Sequence, residues 1–360
     1  SECLVGSEMC IRDSNMGIIG RHSFELCSRP RIISSASYVG DKEGKGPLRE
    51  CFDKICRDDT LGLDSWEQAE SRMFESAVRV ALAKIKRQSD DLSCLLGGDL
   101  LNQIISSGFA AREIRAPFIG LYGACSTISE GLMLGGMLVD GGFAELAACA
   151  ASSHFSAAER QFRYPLEMGV QAVPSSQRMV TGAGSIIIQA AGEFRPGAGN
   201  VFEHVALTGG TIGSVEDFGI TDANNMGAAM APAAFKTIKT HLSDYSRRVE
   251  DYDRIITGDL GIFGSDMLYE LLRGEGIEIA DRHEDCGKLM FSPEQNVNCG
   301  ASGCGCAATV MSSWFLPKIE SGKIRRVLFL ATGALMSPVS SLQGESIPSI
   351  AHAVVIEHID

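Results

Sequence analysis

An internal repeat constrains the fold of this chain more than any other feature of its sequence. Residues 94–100 (CLLGGDL) and 254–260 (RIITGDL) are both short apolar runs that end in Gly-Asp-Leu. Residues 123–126 (GACS) and 303–308 (GCGCAA) are both small-residue turns ahead of an apolar helix. Segments that recur in the same order indicate one structural unit that occurs twice.

A third pair closes the two halves. Residues 185–188 (SIII) recur as residues 353–356 (AVVI), and both are typical of buried strands. Matched residues of the three pairs lie 160, 179 and 168 positions apart, differences that loops can absorb. Strand, helix and strand in alternation with glycine-rich turns predict an α/β protein. We expect two halves, residues 17–200 and 201–360, related by a pseudo-dyad in an α-β-α-β-α arrangement.

A helix is predicted after Ser65, because Ser65 and Gln68 form a capping pattern. Its apolar face is predicted to contain Trp66, Ala69, Met73, Ala77, Val80 and Ile85.

The first sixteen residues are expected to be non-native or disordered. The run SECLVGSEMCIRDS resembles translated sequencing-adapter sequence and lacks periodicity, which makes Met16 the candidate start. The alternative is a native, flexible N-terminal arm.

Charge and composition exclude several classes of function. A net charge of −13 argues against nucleic acid as a partner, because binding of phosphates needs clustered Lys and Arg. No run of eighteen apolar residues is present, so we expect no membrane-spanning segment. The twelve cysteines are too sparse for a disulfide scaffold. They also lack the spacing of zinc ligands, and the pattern most similar to it is Cys304 and Cys306 with Cys299 nearby. We therefore assign no metal site and no cofactor.

Cys125 is the candidate for chemistry. It follows a predicted strand at residues 117–121 and opens a helix, where backbone amides favour a thiolate and can hold an anion. The alternative is a small, inert core residue.

Seven segments resemble the stage V sporulation protein AD family, within the thiolase-like superfamily. They are GDLLNQ (98–103), GACST (123–127), SSHFSAAERQFRYP (152–165), GITDANNMGAAMAPAA (219–234), CGASGCGCAA (299–308), ATGALMSP (331–338) and ESIPSIAH (345–352). The resemblance extends from about residue 23 to residue 360 and implies the thiolase-like fold. In the catalytic members of this superfamily, the cysteine at the position of Cys125 carries the acyl group.

The catalytic partners of that cysteine are not recognisable here. Thiolases and ketoacyl synthases use a His with a second His or Asn from the C-terminal half. This chain has Thr257-Gly258-Asp259 where the first His is expected, and Cys304 or Gly305 at the Asn position. The resemblance thus favours a non-catalytic binding protein. The alternatives are an acyltransferase with Cys125 as nucleophile and a structural scaffold with a vestigial pocket.

The resemblance also implies a ligand, pyridine-2,6-dicarboxylate (dipicolinate), alone or with Ca²⁺, taken up into the forespore. The candidate ligand-binding residues are Asp99, Cys125, His154, Arg160, Arg163, Asp259 and Cys304. Asp99 and Cys125 lie at the matching family positions.

Each of these residues also has a structural interpretation. Asp99 and Asp259 could cap the helices that follow them. Arg160 and Arg163 could pair with Glu159 or Glu167, and His154 could satisfy a local carbonyl. Met226 and Met230 are interpreted as core residues.

By resemblance alone, we expect a homodimer through the sheet edge near residues 116–123. We also expect membrane partners among the other stage V sporulation A proteins, and a location on the cytoplasmic side of, or peripheral to, the forespore inner membrane.

Overall fold

The structure, a computed structural model, describes residues 17–162 and 173–360. The N-terminal segment predicted to be non-native or disordered lies outside these residues, and so does Arg163.

The elements of the first half of the chain are β1 (Ile18–Ile19), β2 (Ser23–Glu25), β3 (Arg31–Val39), β4 (Lys54–Ile55), α1 (Trp66–Lys84), β5 (Cys94–Gly98), α2 (Ile105–Ile114), β6 (Phe118–Gly120), α3 (Thr127–Asp140), β7 (Leu146–Ser153), α4 (Phe155–Phe162), β8 (Arg178–Met179) and β9 (Gly182–Gln189). Those of the second half are β10 (Val205–Thr211), α5 (Met226–Asp244), β11 (Arg254–Thr257), α6 (Gly261–Arg273), β12 (His283–Asp285), α7 (Cys286–Met290), β13 (Ala301–Ser302), α8 (Cys304–Val310), α9 (Leu316–Glu320), β14 (Arg326–Ala334), α10 (Pro338–Leu342) and β15 (Ser349–His358). A π-helical segment, Met311–Phe315, joins α8 to α9.

The two halves have the same strand order. Five strands run β6-β5-β7-β9-β3 in the first half and β12-β11-β14-β15-β10 in the second. In each set the first three strands are parallel and the last two are antiparallel to their neighbours. The sets join where β3 pairs with β10, at Arg31 and Ala206. The duplication predicted from the repeat is therefore confirmed.

Helices form three layers around these strands. The helices α1 and α2 cover the outer face of the first five strands, and α5 and α6 cover the outer face of the second five. The helices α3 and α8 contact each other between the two sets. Close packing in this central layer needs small residues: a Cβ on Gly135 of α3 would lie 2.9 Å from the Cys149 Sγ of β7. The predicted α-β-α-β-α arrangement is present.

The helix predicted after Ser65 is α1, and the Ser65 side chain accepts a hydrogen bond from the Gln68 amide at 3.2 Å. Its buried face differs in part from the prediction. Ala69, Met73 and Ala77 are fully buried, but Trp66 and Val80 are only half-buried. The remaining buried positions are Glu70, Phe74, Val78, Ala81 and Leu82. The buried stripe is wider than the predicted one, as is usual for a helix that covers a sheet.

Candidate functional site

Cys125 lies in a short 3₁₀ turn, Ala124–Ser126, that leads directly into α3. The Ser126 hydroxyl donates to the Gly123 carbonyl at 2.6 Å and so closes the turn. Strand β14 passes very near on the other side, since a Cβ on Gly333 would lie 2.1 Å from the Gly123 carbonyl oxygen. The turn is therefore held between its own helix and the second half of the protein.

The neighbours of Cys125 keep its thiol protonated. The side chain is buried and contacts those of Cys304 and Asp259. The hydrogen bond with Cys304, followed by burial and the negative charge of Asp259, raises the pKa of Cys125 well above its usual value. The expectation that the helix N-terminus favours a thiolate is therefore wrong at this position. A neutral thiol is a weak nucleophile.

Asp259 lies behind Cys125 and is fully buried. Its carboxylate accepts hydrogen bonds from Ser302 Oγ (2.9 Å), the Gly303 amide (2.8 Å) and Thr332 Oγ1 (3.1 Å). Burial raises the pKa of Asp259 to about 6. Gly303 is the N-cap residue of α8, so Asp259 holds the start of α8 and not the start of the helix that follows it. Asp285 takes that second role, because it accepts from the Leu260 and Gly261 amides.

Cys304 occupies the first position of α8 and faces the Cys125 turn. Its Sγ donates to the Ala124 carbonyl at 2.9 Å. Burial raises the pKa of Cys304 as well. The residues predicted at 125, 259 and 304 thus form one contact cluster.

Asp99 follows β5 and is buried. It accepts from the Leu101 amide and the Ser107 amide, each at 2.8 Å, and from the Ser107 hydroxyl. Ser107 belongs to the first turn of α2, so the helix-capping interpretation of Asp99 is confirmed. Glu70 of α1 lies near, and burial together with the charge of Asp99 raises the pKa of Glu70 well above its usual value. Burial also raises the pKa of Asp99.

A cavity of about 390 Å³ brings Asp99 and Cys125 together. The first half contributes residues 99–104, Tyr122 and Cys125 to its lining, and the second half contributes Met226, Met230 and residues 334–337. The interpretation of the two methionines as core residues is therefore incomplete, because both line the cavity. Asp259 and Cys304, both predicted to bind the ligand, do not line this cavity; Asp259 contacts two residues that do, Ser302 and Cys125.

Three of the ten described non-glycine residues with a positive φ line the cavity. Gln103, Ile104 and Ala124 have φ values of 59°, 46° and 50°. This left-handed region is uncommon for residues with a side chain, above all for a β-branched one such as Ile104. Strain of this kind persists at sites that hold ligands or perform chemistry. No sequence motif indicated it, because each residue type is ordinary by itself.

Two of the remaining predicted residues point elsewhere. His154 Nε2 contacts the Asp59 carbonyl at 2.9 Å, and His154 does not line the cavity, so the local-carbonyl interpretation is confirmed. Arg160 forms an ion pair with Glu67 and lies over the Trp66 ring. Arg160 is therefore engaged on the surface of α1, with a different partner from the one predicted. Arg163 lies outside the described residues.

The described part of the chain, residues 17–162 and 173–360, contains no group of three or more His, Cys, Asp or Glu residues that could hold a metal ion. Its ten cysteines are all free thiols. Within the same ranges, no helix combines the length and apolarity needed to cross a bilayer.

Comparison with known proteins identifies relatives of this chain. Residues 20–357 match the family described as Stage V sporulation protein AD. The stage V sporulation protein AD of Bacillus subtilis (strain 168) is 43% identical over 343 residues, which cover 95% of this chain and 98% of that protein.

Solved structures of two enzymes share the fold. The 3-oxoacyl-[acyl-carrier-protein] synthase III of Aquifex aeolicus VF5 aligns with a TM-score of 0.56 at 11% identity, over 91% of this chain and 100% of the other. Human mitochondrial 3-ketoacyl-CoA thiolase aligns with a TM-score of 0.57 at 10% identity, over 93% of this chain and 99% of the other. At such identities the likeness shows the thiolase-like fold and nothing of the activity.

Proposed function

Because the chain belongs to the stage V sporulation protein AD family, we propose that it is a non-catalytic binding protein for dipicolinate, which serves uptake of this compound into the forespore. The observation that carries the proposal is the cavity between the two halves, which contains both family-matched residues, Asp99 and Cys125. A concave, mainly apolar site with a few polar groups suits a flat aromatic ligand.

The state of Cys125 supports binding over catalysis. A nucleophilic cysteine needs a base or a positive neighbour to lower its pKa. Here Cys304 and Asp259 raise it. No histidine is among the described residues that line the cavity.

The charge of the lining bears on the form of the ligand. Asp99 lines the cavity, and no Lys or Arg does so among the described residues. Fully ionised dipicolinate carries two negative charges, which Asp99 would repel. A calcium complex removes this conflict, because Ca²⁺ takes carboxylate oxygens as ligands. We therefore propose that Ca²⁺ enters with the ligand, as part of the cargo.

Isothermal titration calorimetry tests the proposal. Purified protein is titrated with dipicolinate in the presence and in the absence of Ca²⁺, and we expect saturable heat at one ligand per chain. Ala334→Trp should abolish the heat, since the indole would fill the cavity. Ala198→Trp makes the same change on an exposed loop and should bind like wild type. Folded wild-type protein that gives no saturable heat in either condition would remove the proposal. Saturable heat that Ala334→Trp leaves intact would place the ligand elsewhere.

Acyl transfer is the second candidate, since a buried thiol lines an apolar cavity. It predicts an acyl adduct on Cys125 after incubation with acyl-thioester donors. Mass spectrometry of the intact and digested protein detects the adduct. Its absence across donors of several chain lengths would eliminate this candidate.

We also propose that the protein works as a homodimer beside the other stage V sporulation A proteins at the forespore inner membrane. The support for dimerisation is the position of β6 at the end of the strand order. Ile119 and Tyr122, on or next to this edge, are 42% and 63% exposed. An unpaired strand edge with exposed apolar side chains favours pairing with a second copy.

A further inference from the structure

Methionines are concentrated in the lining of the cavity. They make up four of the eighteen described residues that line it, but only 13 of the 360 residues of the chain. Met226 and Met230 lie one turn apart on the same face of α5. Met179 belongs to β8, and Met336 follows β14. Three separate segments of the chain therefore place thioether groups on one cavity, and such groups pack well against aromatic rings.

Three of these methionines lie together, away from Asp99. A side cavity of about 40 Å³ adjoins the main cavity, since Phe162, Met179, Met226 and Met336 line both. Asp99 lines the main cavity alone. The main cavity thus has a methionine side, formed by Phe162 and these three methionines, and an aspartate side, which contains Asp99.

The two sides differ in what they offer to a calcium chelate. Among the described residues, Ser302 is the one polar residue that lines both cavities, and its hydroxyl donates to the Asp259 carboxylate at 2.9 Å. Ser302 therefore has no hydrogen left for a ligand carboxylate. On the aspartate side, Asp99 can bind Ca²⁺, and the exposed Asn102 and Gln103 carboxamides can donate to carboxylate oxygens. The charged edge of a chelate therefore finds its partners on the aspartate side.

We propose that the methionine side is the contact surface for the apolar ring edge of the ligand, and that it orients calcium dipicolinate with the metal towards Asp99. In dipicolinate the ring nitrogen and both carboxylates lie on one edge, and the opposite edge has only C–H groups. This distribution matches the two sides of the cavity in a single orientation. The site then selects flat chelates whose far edge is apolar. The inference rests on the proposed function, since it concerns the same cavity and the same ligand.

An analogue that is enlarged only on the far edge of the ring tests this orientation. The ligand 4-ethylpyridine-2,6-dicarboxylate keeps the three chelating groups of dipicolinate and adds two carbons opposite the ring nitrogen. Calorimetry of wild type in excess Ca²⁺ should give it an affinity about tenfold higher than that of dipicolinate, because both carbons become buried against apolar side chains. An ethyl group that pointed into water would change the affinity little.

Variants with a polar side chain of similar length assign this preference to the methionines. In Met226→Gln and in Met336→Gln, the tenfold preference for the ethyl analogue should fall below about threefold, since a carboxamide replaces the thioether beside the ethyl group. The matched control is Met267→Gln. Met267 is a half-buried methionine on α6 that lines neither cavity, so this variant should keep the wild-type preference.

The outcomes separate the two proposals. Equal affinities of wild type for the two ligands would overturn the orientation and leave dipicolinate binding intact. A tenfold preference that persists in folded Met226→Gln and Met336→Gln would overturn the role of the methionines, again without affecting the proposed function. No binding of either ligand to folded wild type, with or without Ca²⁺, would remove both proposals. If Met226→Gln fails to fold, Met336→Gln and the comparison within wild type still decide.

Discussion

The Asp259→Asn substitution tests the electrostatics of the site most directly. An asparagine can keep the three hydrogen bonds that Ser302, Gly303 and Thr332 make with the native side chain. Its Oδ1 can accept from Ser302 and Gly303, and its Nδ2 can donate to the Thr332 hydroxyl, which now donates to the carboxylate. What the substitution removes is the buried negative charge.

The magnitude follows from the pKa of Asp259, which burial raises from 3.8 to about 6. At about 1.4 kcal/mol per pKa unit, ionised Asp259 lowers the free energy of unfolding by about 3 kcal/mol. The sign is fixed by proton binding. Between pH 4 and 6 the folded state keeps a proton that the unfolded state loses, so wild type loses stability as the pH rises. Asp259→Asn escapes this loss and should be more stable than wild type above pH 6.

Urea unfolding at a series of pH values between 4 and 7.5 measures the effect. The difference in free energy of unfolding between Asp259→Asn and wild type should widen by about 2–3 kcal/mol from pH 4 to pH 7. Buried acids that do not interact with Asp259 titrate equally in both proteins and cancel in the difference. The control is Asp266→Asn on the exposed face of α6, which should change stability by less than about 0.5 kcal/mol at every pH.

A difference that stays constant over this range would refute the reasoning, because the carboxylate would then carry no burial penalty. A variant that becomes less stable than wild type as the pH rises would refute it more strongly, since the native charge would then be stabilising.

Three further predictions concern the Cys125 thiol, the close contact at Gly333 and the exposed edge at β6. Iodoacetamide at pH 8 should alkylate Cys125 at least tenfold more slowly than the exposed Cys27, as peptide mass spectrometry would reveal, and faster alkylation of Cys125 would contradict its raised pKa. Gly333→Ala should lower the free energy of unfolding by about 2–3 kcal/mol, because its Cβ would lie 2.1 Å from a carbonyl oxygen. The control Gly192→Ala, whose Cβ would have no atom within 4 Å, should be neutral. Equal urea midpoints for the two variants would exclude the clash. Light scattering should give a mass twice 38.4 kDa for wild type and close to 38.4 kDa for Ile119→Lys, and a monomeric wild type would exclude the proposed dimer.

The sequence predicted the architecture because, in a duplicated fold, the same sequence pattern occurs in both halves. The matched strands β5 and β11 appear as the two Gly-Asp-Leu runs, and their order fixed the layers. The structural repeat includes more elements than the sequence similarity between the two halves indicated. Helices α1 and α5 are both 19 residues long and start 160 positions apart. Their sequences differ too much for the match to be read directly, since any set of small apolar residues can cover a sheet.

The candidate site was predicted only in part. Asp99, Cys125, Asp259 and Cys304 follow strands or open helices at corresponding ends of the two halves, so the repeat itself placed them close together. The left-handed backbone at Gln103, Ile104 and Ala124 was missed, because no periodicity or motif marks it. Arg160 was misassigned, because its choice between a ligand and Glu67 depends on how α1 packs.

The upward shift of the Cys125 pKa shows how this fold can hold a thiol at the start of a helix without making it reactive. The helix N-terminus favours negative charge on the sulfur, but by only about 0.3–1 kcal/mol in ordinary settings. Burial and an adjacent carboxylate act in the opposite direction, and each can exceed that amount in a low-dielectric site. Asp259 and Cys304 therefore keep the Cys125 thiol neutral, since they occupy the positions beside it that a positively charged residue would need in order to favour the thiolate. A cavity wall with a neutral thiol can contact a ligand without reacting with it, as the proposed binding function requires.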